Sequence, residues 1–437
     1  MTYLILFAIL LNIIAIHGYT NHNYEEPGPL ERYYTDWDYV EVRPGARMFW
    51  WLFYTTKSQI KSPYERPLVI WLQGGPGDSG TGFGNFAEIG PLDMNLDPRQ
   101  YSWAKECNIL FIDSPVGTGF SYVDSDDLLA ENNSQIAEDL LVLIRSFLDV
   151  KPNFRTVPTY IFSESYGAKM ASEFALLWYR SRSLVESNLK GLSLGSAYIS
   201  PSDALDGWAP YLVNQGIIDE FSAREIVQNV EKVKTASMEG RWYDALRSIA
   251  PAMKTAFSIT GGLDIYNILQ ENKEYLDAHG NTIYSRVHKD AVEALSTLMN
   301  KKIKNFLGIP TNKTWSAENG DVIIALANDF IKPVTNIVEC LLNETSLKIL
   351  TYSGELDLLS NAIGAYKWSE KLSWRYAERW RSSPEVPFIV NNNVEAFYKS
   401  YDRFSYFRVL RAGHFTPIDN PAAMLEILKY MIGPENS

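Results

Sequence analysis

Three residues have the types and local sequences of a nucleophile, an acid and a base: Ser165, Asp357 and His414. Ser165 follows the apolar run 160–162 and stands between Ser163 and Gly167, two positions to either side. In a sharp strand-to-helix turn the serine hydroxyl projects clear of the sheet, and residues at these two positions are small because neighbouring backbone comes close. The pattern therefore predicts a nucleophilic serine at the end of a β-strand.

A serine hydroxyl becomes a good nucleophile only when a positioned base takes its proton. Of the five histidines, His414 follows an apolar run, 405–410, and lies in a loop that also contains Ala412 and Gly413. We expect His414 to be the base, because small neighbours let its ring approach another strand end. The other histidines lie in the N-terminal leader, the polar N-terminus or charged stretches: His17, His22, His279 and His288.

The acid that orients the base should follow another strand. Residues 348–352 form an apolar run that is followed by Gly354, Glu355 and Asp357. We favour Asp357 as the acid, with Glu355 as the alternative. The chain order serine, acid, histidine is that of the α/β-hydrolases and differs from that of the chymotrypsin and subtilisin folds.

Four segments resemble the serine carboxypeptidases, the peptidase S10 family: 71–77, 163–167, 354–357 and 413–414. Within that family, Gln73 and residues 162–167 look most like the retinoid-inducible serine carboxypeptidase branch. The resemblance runs from about Trp37 to Gly433. It implies a peptidase that releases C-terminal residues of peptides or proteins through an acyl-Ser165 intermediate, with no metal or cofactor.

The resemblance also assigns roles around the triad. Backbone amides of Gly75 and Tyr166 would form the oxyanion hole, which stabilises the charge that develops on the substrate carbonyl. The residues that would bind the free carboxylate of the substrate are Gln73, Gly74, Glu88 and Glu164. Because two neighbouring buried carboxyl groups cannot both ionise cheaply, one keeps its proton and can donate a hydrogen bond. This arrangement favours activity at acidic pH.

Two other functions remain open at this point. Gln73 stands where the family commonly has asparagine, and Phe415 where methionine commonly follows the catalytic histidine. One alternative is therefore a catalytically weak binding protein that keeps the fold. The other is an acyltransferase or esterase that uses the same triad, and acyl products formed with an alcohol acceptor would reveal it.

Composition excludes one class of partner. The chain of 437 residues has 46% hydrophobic and 21% charged residues, as is usual for a globular protein. Its net charge of −12 and the lack of a basic stripe argue against nucleic-acid binding by phosphate neutralisation.

The N-terminus predicts entry into the secretory pathway. Residues 3–16 are largely apolar and end near Gly18, which is typical of a signal peptide cleaved there. An uncleaved anchor is the alternative. After cleavage we expect no membrane association and an extracellular or lysosomal location. Three Asn-x-Ser/Thr triplets are candidate glycosylation sites: Asn132, Asn312 and Asn343. The two cysteines, Cys107 and Cys340, could form a disulfide or remain small buried residues.

Along the chain, short apolar runs alternate with helical patterns such as 135–148 and 168–180. This alternation predicts an α/β fold, and with the triad order it predicts an α/β-hydrolase fold with a mostly parallel central sheet. Between about 201 and 333 the pattern becomes helical without clear core strands, which indicates an inserted helical cap. We therefore expect a signal peptide at 1–18, a split catalytic domain at 19–200 and 334–437, and the cap at 201–333.

Overall fold

The computed structural model describes residues 28–270 and 286–433, with the backbone alone for 286–291. The predicted signal peptide, its cleavage site, the histidines 17, 22 and 279, and the side chain of His288 lie outside this description. The chain before Tyr34 belongs to a small unit of its own, in which 28–33 contain a turn. All the helices and strands below belong to the unit that begins at Tyr34.

In the described residues, eleven strands form one sheet. They are β1 Thr35–Arg43, β2 Ala46–Phe53, β3 Leu68–Leu72, β4 Asn108–Ile112, β5 Tyr122–Val123, β6 Pro158–Glu164, β7 Asn188–Gly195, β8 Lys348–Gly354, β9 Val386–Val390, β10 Asn393–Tyr401 and β11 Phe404–Val409. Their order is β1-β2-β4-β3-β6-β7-β8-β11-β10-β9, and the short β5 pairs with β2. The six strands from β4 to β11 in this order are parallel, and the strands outside them are antiparallel. The predicted mostly parallel sheet is confirmed.

The central strands are buried on both faces. Every residue of β3 and β4 is buried, which explains why β3 and, after Asn108, β4 are continuous apolar runs and do not alternate. In β7, a Cβ atom at Gly191 would lie 2.3 Å from the carbonyl oxygen of Lys348 on β8. Glycine is therefore required where these two backbones approach each other.

The helices alternate with the strands at first, and several then follow one another between β7 and β8. They are α1 Asn133–Val150, α2 Tyr166–Arg180, α3 Pro201–Asp206, α4 Trp208–Asn214, α5 Glu220–Met238, α6 Trp242–Thr260, α7 Arg286–Leu298, α8 Lys304–Leu307, α9 Gly320–Ala325, α10 Thr335–Glu344, α11 Ala362–Lys371, α12 Ala377–Ser382, α13 Thr416–Asp419 and α14 Pro421–Ile432. Short 3₁₀ helices occupy Pro63–Glu65, Trp103–Lys105, Asp126–Leu128 and Pro152–Arg155. Gly80–Ile89 and Met299–Ile303 are π-helical. Among the described helices, none has the length and apolar character needed to cross a membrane.

Helices between β7 and β8 have a hydrophobic cluster of their own, formed mainly by α4, α5 and α6. The sequence pattern predicts a helix at 242–250, and α6 continues beyond it through Pro251 to Thr260. The buried face explains the extension, because Ala245, Ala252 and Ala256 form one apolar stripe. The boundaries 201–333 stay a prediction, since residues 34–433 lie in one compact unit.

Parallel strands bring their carboxyl ends to one edge of a sheet. Gln73 and Gly74 follow β3, Ser165 follows β6, Asp357 follows β8, and His414 follows β11. The topology therefore gathers residues that are up to 341 positions apart at a single edge.

Candidate active site

Ser165 occupies a strained turn between β6 and α2. Its backbone angles are φ 57° and ψ −123°, a region that costs a non-glycine residue on the order of 1–3 kcal/mol. Two backbone hydrogen bonds hold it there: Ser165 N–H donates to the Gly195 carbonyl at 2.9 Å, and the Ser165 carbonyl accepts from Tyr198 N–H at 3.1 Å. This geometry is that of a nucleophile elbow.

The residues two positions before and after Ser165 are small for different physical reasons. A Cβ atom at Gly167 would lie 2.3 Å from the carbonyl oxygen of Leu72 and 2.8 Å from that of Gln73. Ser163 is fully buried, and its hydroxyl donates to the Ser193 carbonyl at 3.0 Å. Serine therefore fits where glycine is usual in such turns, because its one polar atom has a partner.

His414 and Asp357 form a buried pair. Nδ1 of His414 lies 2.9 Å from Oδ2 of Asp357, and the other carboxylate oxygen accepts from Ser360 N–H at 3.0 Å. In the neutral ring this contact favours the tautomer with the proton on Nδ1, which leaves Nε2 to act as the base. Glu355 lies elsewhere, with its carboxylate 3.9 Å from the guanidinium of Arg408 and its side chain 34% exposed. The structure thus places Asp357 beside His414.

A glycine-rich turn follows β3 and approaches the serine. A Cβ atom at Gly74 would lie 2.7 Å from Ser165 Cβ and 3.3 Å from its Oγ. Gly75 has φ 100°, in the left-handed region that favours glycine. Tyr166 is the first residue of α2, so its N–H has no partner within the helix. Gly75 and Tyr166, the predicted oxyanion-hole residues, both line the cavity at Ser165.

A buried polar chain connects Trp71, Gln73, Glu164 and Glu88. The indole N–H of Trp71 donates to Gln73 Oε1 at 2.6 Å, and Gln73 Nε2 donates to Glu164 Oε1 at 3.0 Å. Glu164 lies close to the buried Glu88, whose carboxyl group influences its pKa. Glu88 belongs to the π-helix Gly80–Ile89, a geometry that is frequent at functional sites.

Burial is the main reason that the pKa of Glu164 is raised well above its ordinary value. The nearby Glu88 carboxyl raises it further, and the hydrogen bond from Gln73 lowers it. The same two carboxyl groups contribute to a raised pKa of the buried Tyr352, in which burial is again the larger cause. Glu164 therefore keeps its proton to higher pH than an exposed carboxyl group does.

A cavity of about 250 Å³ lies at this edge of the sheet. It is lined by seven predicted site residues: Gln73, Gly74, Gly75, Glu164, Ser165, Tyr166 and His414. Asp357 and Glu88 stand behind this wall, where Asp357 bonds to His414 and Glu88 lies close to Glu164. Segments between β7 and β8, both helical and irregular, supply much of the lining: Ile249, Met253, Ile265, Tyr266, Ile323 and Phe330.

Sequence reasoning missed these apolar lining residues as individuals. They lie in segments distant from every motif, and an apolar residue there looks like any other core position. Phe330 illustrates the point, because its ring stacks on Tyr166 with centroids 5.6 Å apart. The neighbouring Asp329 forms an ion pair with the buried Lys169 at 3.0 Å. This pair joins the lining segment to the helix that follows the serine.

The remaining predicted residues lie away from the cavity. Asn132, Asn312 and Asn343 are all exposed. Cys107 and Cys340 are both free, so the disulfide alternative is wrong. Cys107 is buried, and burial raises the pKa of its thiol far above the ordinary value. Within the described ranges, no cluster of three or more His, Cys, Asp or Glu side chains could hold a metal ion.

The chain is similar to known proteins over nearly its whole length. The serine carboxypeptidase family model matches residues 27–433. The retinoid-inducible serine carboxypeptidases of Rattus norvegicus and Homo sapiens are 39% and 37% identical, each over 91% of this chain and 91% of its own length. Serine carboxypeptidase-like 51 of Arabidopsis thaliana is 32% identical over 90% of both chains.

A solved structure shares the fold. The prohormone-processing carboxypeptidase from Saccharomyces cerevisiae superimposes with a TM-score of 0.79 at 20% identity, over 91% of this chain and 90% of that one. These findings confirm the α/β-hydrolase fold and the similarity to the retinoid-inducible branch. The chain belongs to the serine carboxypeptidase family and is a serine-type carboxypeptidase.

Proposed function

We propose that the protein releases C-terminal residues from peptides at acidic pH through an acyl-Ser165 intermediate. One observation carries this proposal: a single cavity holds Ser165 and His414 beside Gln73 and Glu164. The proposed hydrolytic centre therefore lies next to a carboxyl pair that, when it holds one proton, can bind the C-terminal carboxylate of a peptide.

In the proposed reaction, His414 Nε2 takes the hydroxyl proton while Ser165 Oγ attacks the last peptide carbonyl. The backbone N–H groups of Gly75 and Tyr166 stabilise the oxyanion. The C–N bond then breaks, His414 gives its proton to the departing amine, and an acyl-serine remains. Water, deprotonated by His414, hydrolyses this ester and restores the serine. Asp357 holds the ring and stabilises its charged form.

The free carboxylate of the substrate would bind at Gln73, Gly74, Glu164 and Glu88. Because Glu164 and Glu88 are buried and adjacent, their shared proton gives the site a donor for an anion. Raising the pH through the raised pKa removes that proton, and negative charge then faces negative charge. Peptide binding is therefore expected to be strong in acid and to weaken as the pH rises.

Two measurements on the purified protein test the proposal. A fluorophosphonate probe should label the wild type but not Ser165→Ala, and His414→Ala should label at least about 10⁴-fold more slowly. Peptides with a free C-terminus should lose their last residue, whereas amidated peptides should bind much less tightly. Equal turnover of both substrates would contradict the exopeptidase assignment, and acyl products with an alcohol acceptor would favour an acyltransferase. An unlabelled wild type would favour a binding protein.

We further propose that the protein travels through the secretory pathway to the cell exterior or the lysosome. The predicted signal peptide and the three exposed acceptors, Asn132, Asn312 and Asn343, support this route. Treatment of the secreted protein with a peptide N-glycosidase should reduce its apparent mass. A mass that stays the same would contradict glycosylation at these sites.

A further inference from the structure

A short segment after α6 lies against both the acid and the base. We call Asp264–Ile268 the bracing segment. The buried Asp264 carboxylate accepts from the N–H groups of Tyr266 at 2.8 Å and Asn267 at 3.4 Å, which fixes the turn. Local hydrogen bonds of this kind stabilise a non-helical conformation of the backbone.

The bracing segment holds the loop of Asp357 on both sides. The Ile265 carbonyl accepts from the N–H groups of Leu358 and Leu359, each at 3.0 Å, and Ile268 N–H donates to the Leu356 carbonyl at 3.0 Å. The residues immediately before and after Asp357 are therefore fixed by backbone contacts to this segment.

The same segment also holds the loop of His414. The Tyr266 carbonyl accepts from His414 N–H at 2.7 Å, and the Tyr266 ring meets the His414 ring edge-on with centroids 5.1 Å apart. A Cβ atom at Gly413 would lie 2.2 Å from the Tyr266 carbonyl oxygen, so the two backbones are in close contact.

One side chain of the segment makes a polar link to the base loop. Asn267 Nδ2 donates to Asp419 Oδ2 at 3.0 Å, and the same oxygen accepts from Gly413 N–H at 2.7 Å. Asp419 thus stands between Asn267 and the N–H of Gly413, the residue before His414. The other contacts are made through backbone atoms, the Asp264 carboxylate or the Tyr266 ring, which also lines the cavity. The Asn267 link can therefore be removed by substitution without changing the cavity wall.

We propose that Asn267 is a positioning residue. Through Asp419 and Gly413 it sets the position of the His414 ring, so that Nε2 can take the hydroxyl proton of Ser165. This inference rests on the proposed role of His414 as the base. Asn267 does not need to touch the substrate, since misplacing a reacting group by about 1 Å can reduce the rate by about 10²-fold.

Asn267→Ala removes the link and is the first test. We expect its kcat, and its rate of fluorophosphonate labelling per folded molecule, to fall about tenfold or more, with KM for a free-acid peptide within about twofold of the wild type. Leu269→Ala is the matched control, because Leu269 lies two residues away and is 75% exposed. It should keep the wild-type rates.

Asn267→Asp provides a readout that a purely structural role would not move. The new carboxyl would keep an oxygen for Leu269 N–H but replace the amide donor toward Asp419. The ionisable groups around this contact are Asp419, Asp264, Asp357 and His414. At low pH one carboxyl keeps its proton and can donate to the other, whereas at higher pH both ionise and repel.

The labelling rate of Asn267→Asp relative to wild type should therefore fall as the pH rises, while the ratio for Asn267→Ala should stay low and level. Labelling of Asn267→Ala at the wild-type rate per folded molecule would overturn the inference, and so would a pH-independent ratio for Asn267→Asp. If the wild type itself fails to label, the proposed function fails first. Normal wild-type labelling with an unaffected Asn267→Ala rejects only the positioning role.

Discussion

Gln73 donates to Glu164 at 3.0 Å, and Glu164 directly precedes Ser165 in the chain. The proposed carboxylate-binding residue and the proposed nucleophile are therefore neighbours on one piece of backbone. A second hydrogen bond, from Trp71 to Gln73 Oε1, fixes the orientation of the amide so that its nitrogen faces Glu164. Gln73, which directly follows β3, thus lowers a pKa that burial raises.

Glu164→Gln should flatten the pH dependence of peptide binding. The new amide stays neutral, accepts from Gln73 and donates toward Glu88, so the repulsion that develops in the wild type at high pH is absent. We expect KM for a free-acid peptide to rise more with pH in the wild type than in the variant. Fluorophosphonate labelling controls for the integrity of Ser165, and parallel KM profiles would refute the paired-carboxyl model.

The same raised pKa makes a prediction about stability. Because the folded pKa of Glu164 lies above that of the unfolded chain, the folded state holds the proton more tightly. This contribution is complete below the unfolded value of about 4.3 and is lost as the pH rises through the folded value. Thermal unfolding should show Glu164→Gln gaining Tm relative to the wild type as the pH increases. A constant difference in Tm would contradict this linkage.

Gln73→Met should move the pH dependence of peptide binding toward higher pH. The substitution keeps the side-chain length but removes the hydrogen bond that lowers the pKa of Glu164. The pKa should rise further, so the weakening of peptide binding is expected at higher pH. Leaving Trp71 and Glu164 without these bonds should also cost about 1–3 kcal/mol each in the free energy of unfolding. Denaturant titration and KM profiles measure the two effects, and a profile moved to lower pH would contradict the first.

Asp357→Asn and Glu355→Gln form a matched pair for the acid. Removing the carboxylate at 2.9 Å from His414 Nδ1 should lower kcat by about 10⁴-fold. The carboxylate holds the ring in the tautomer that leaves Nε2 free and stabilises the charged ring that forms during the reaction. Glu355→Gln changes a partly exposed side chain near Arg408 and should keep kcat within about twofold. Comparable losses in the two variants would remove Asp357 from its proposed role.

The free cysteines predict insensitivity to reductant. Since Cys107 and Cys340 are not joined, adding a thiol reductant should leave the Tm of the folded protein unchanged. A Tm that falls by several degrees would indicate a disulfide after all, since such a bond typically contributes about 2–4 kcal/mol.

The sequence predicted the elements whose residues are buried on both faces, as β3 and β4 show. It missed β9, because Val386–Val390 contains a proline and lies partly exposed at the edge of the sheet. Ser165 and His414 have local motifs and were found without structure. The bracing segment has neither periodicity nor motif, and its position depends on tertiary contacts. The carboxyl pair needed a family resemblance, because Glu88 and Glu164 lie far apart in the chain and the π-helix has no sequence period of its own.

Strands β7 and β8 are paired neighbours, although the helical segments between them separate the two by more than 150 residues of chain. This separation orders events during synthesis. The serine turn is made first, whereas the acid and the base are made after all the helices that lie between β7 and β8. Pairing across so long a loop is slow to form, and a nascent chain that ends before β8 has a strained serine with no base. On the proposed mechanism, the order of the chain therefore delays hydrolytic activity until the last strands of the sheet have been synthesised.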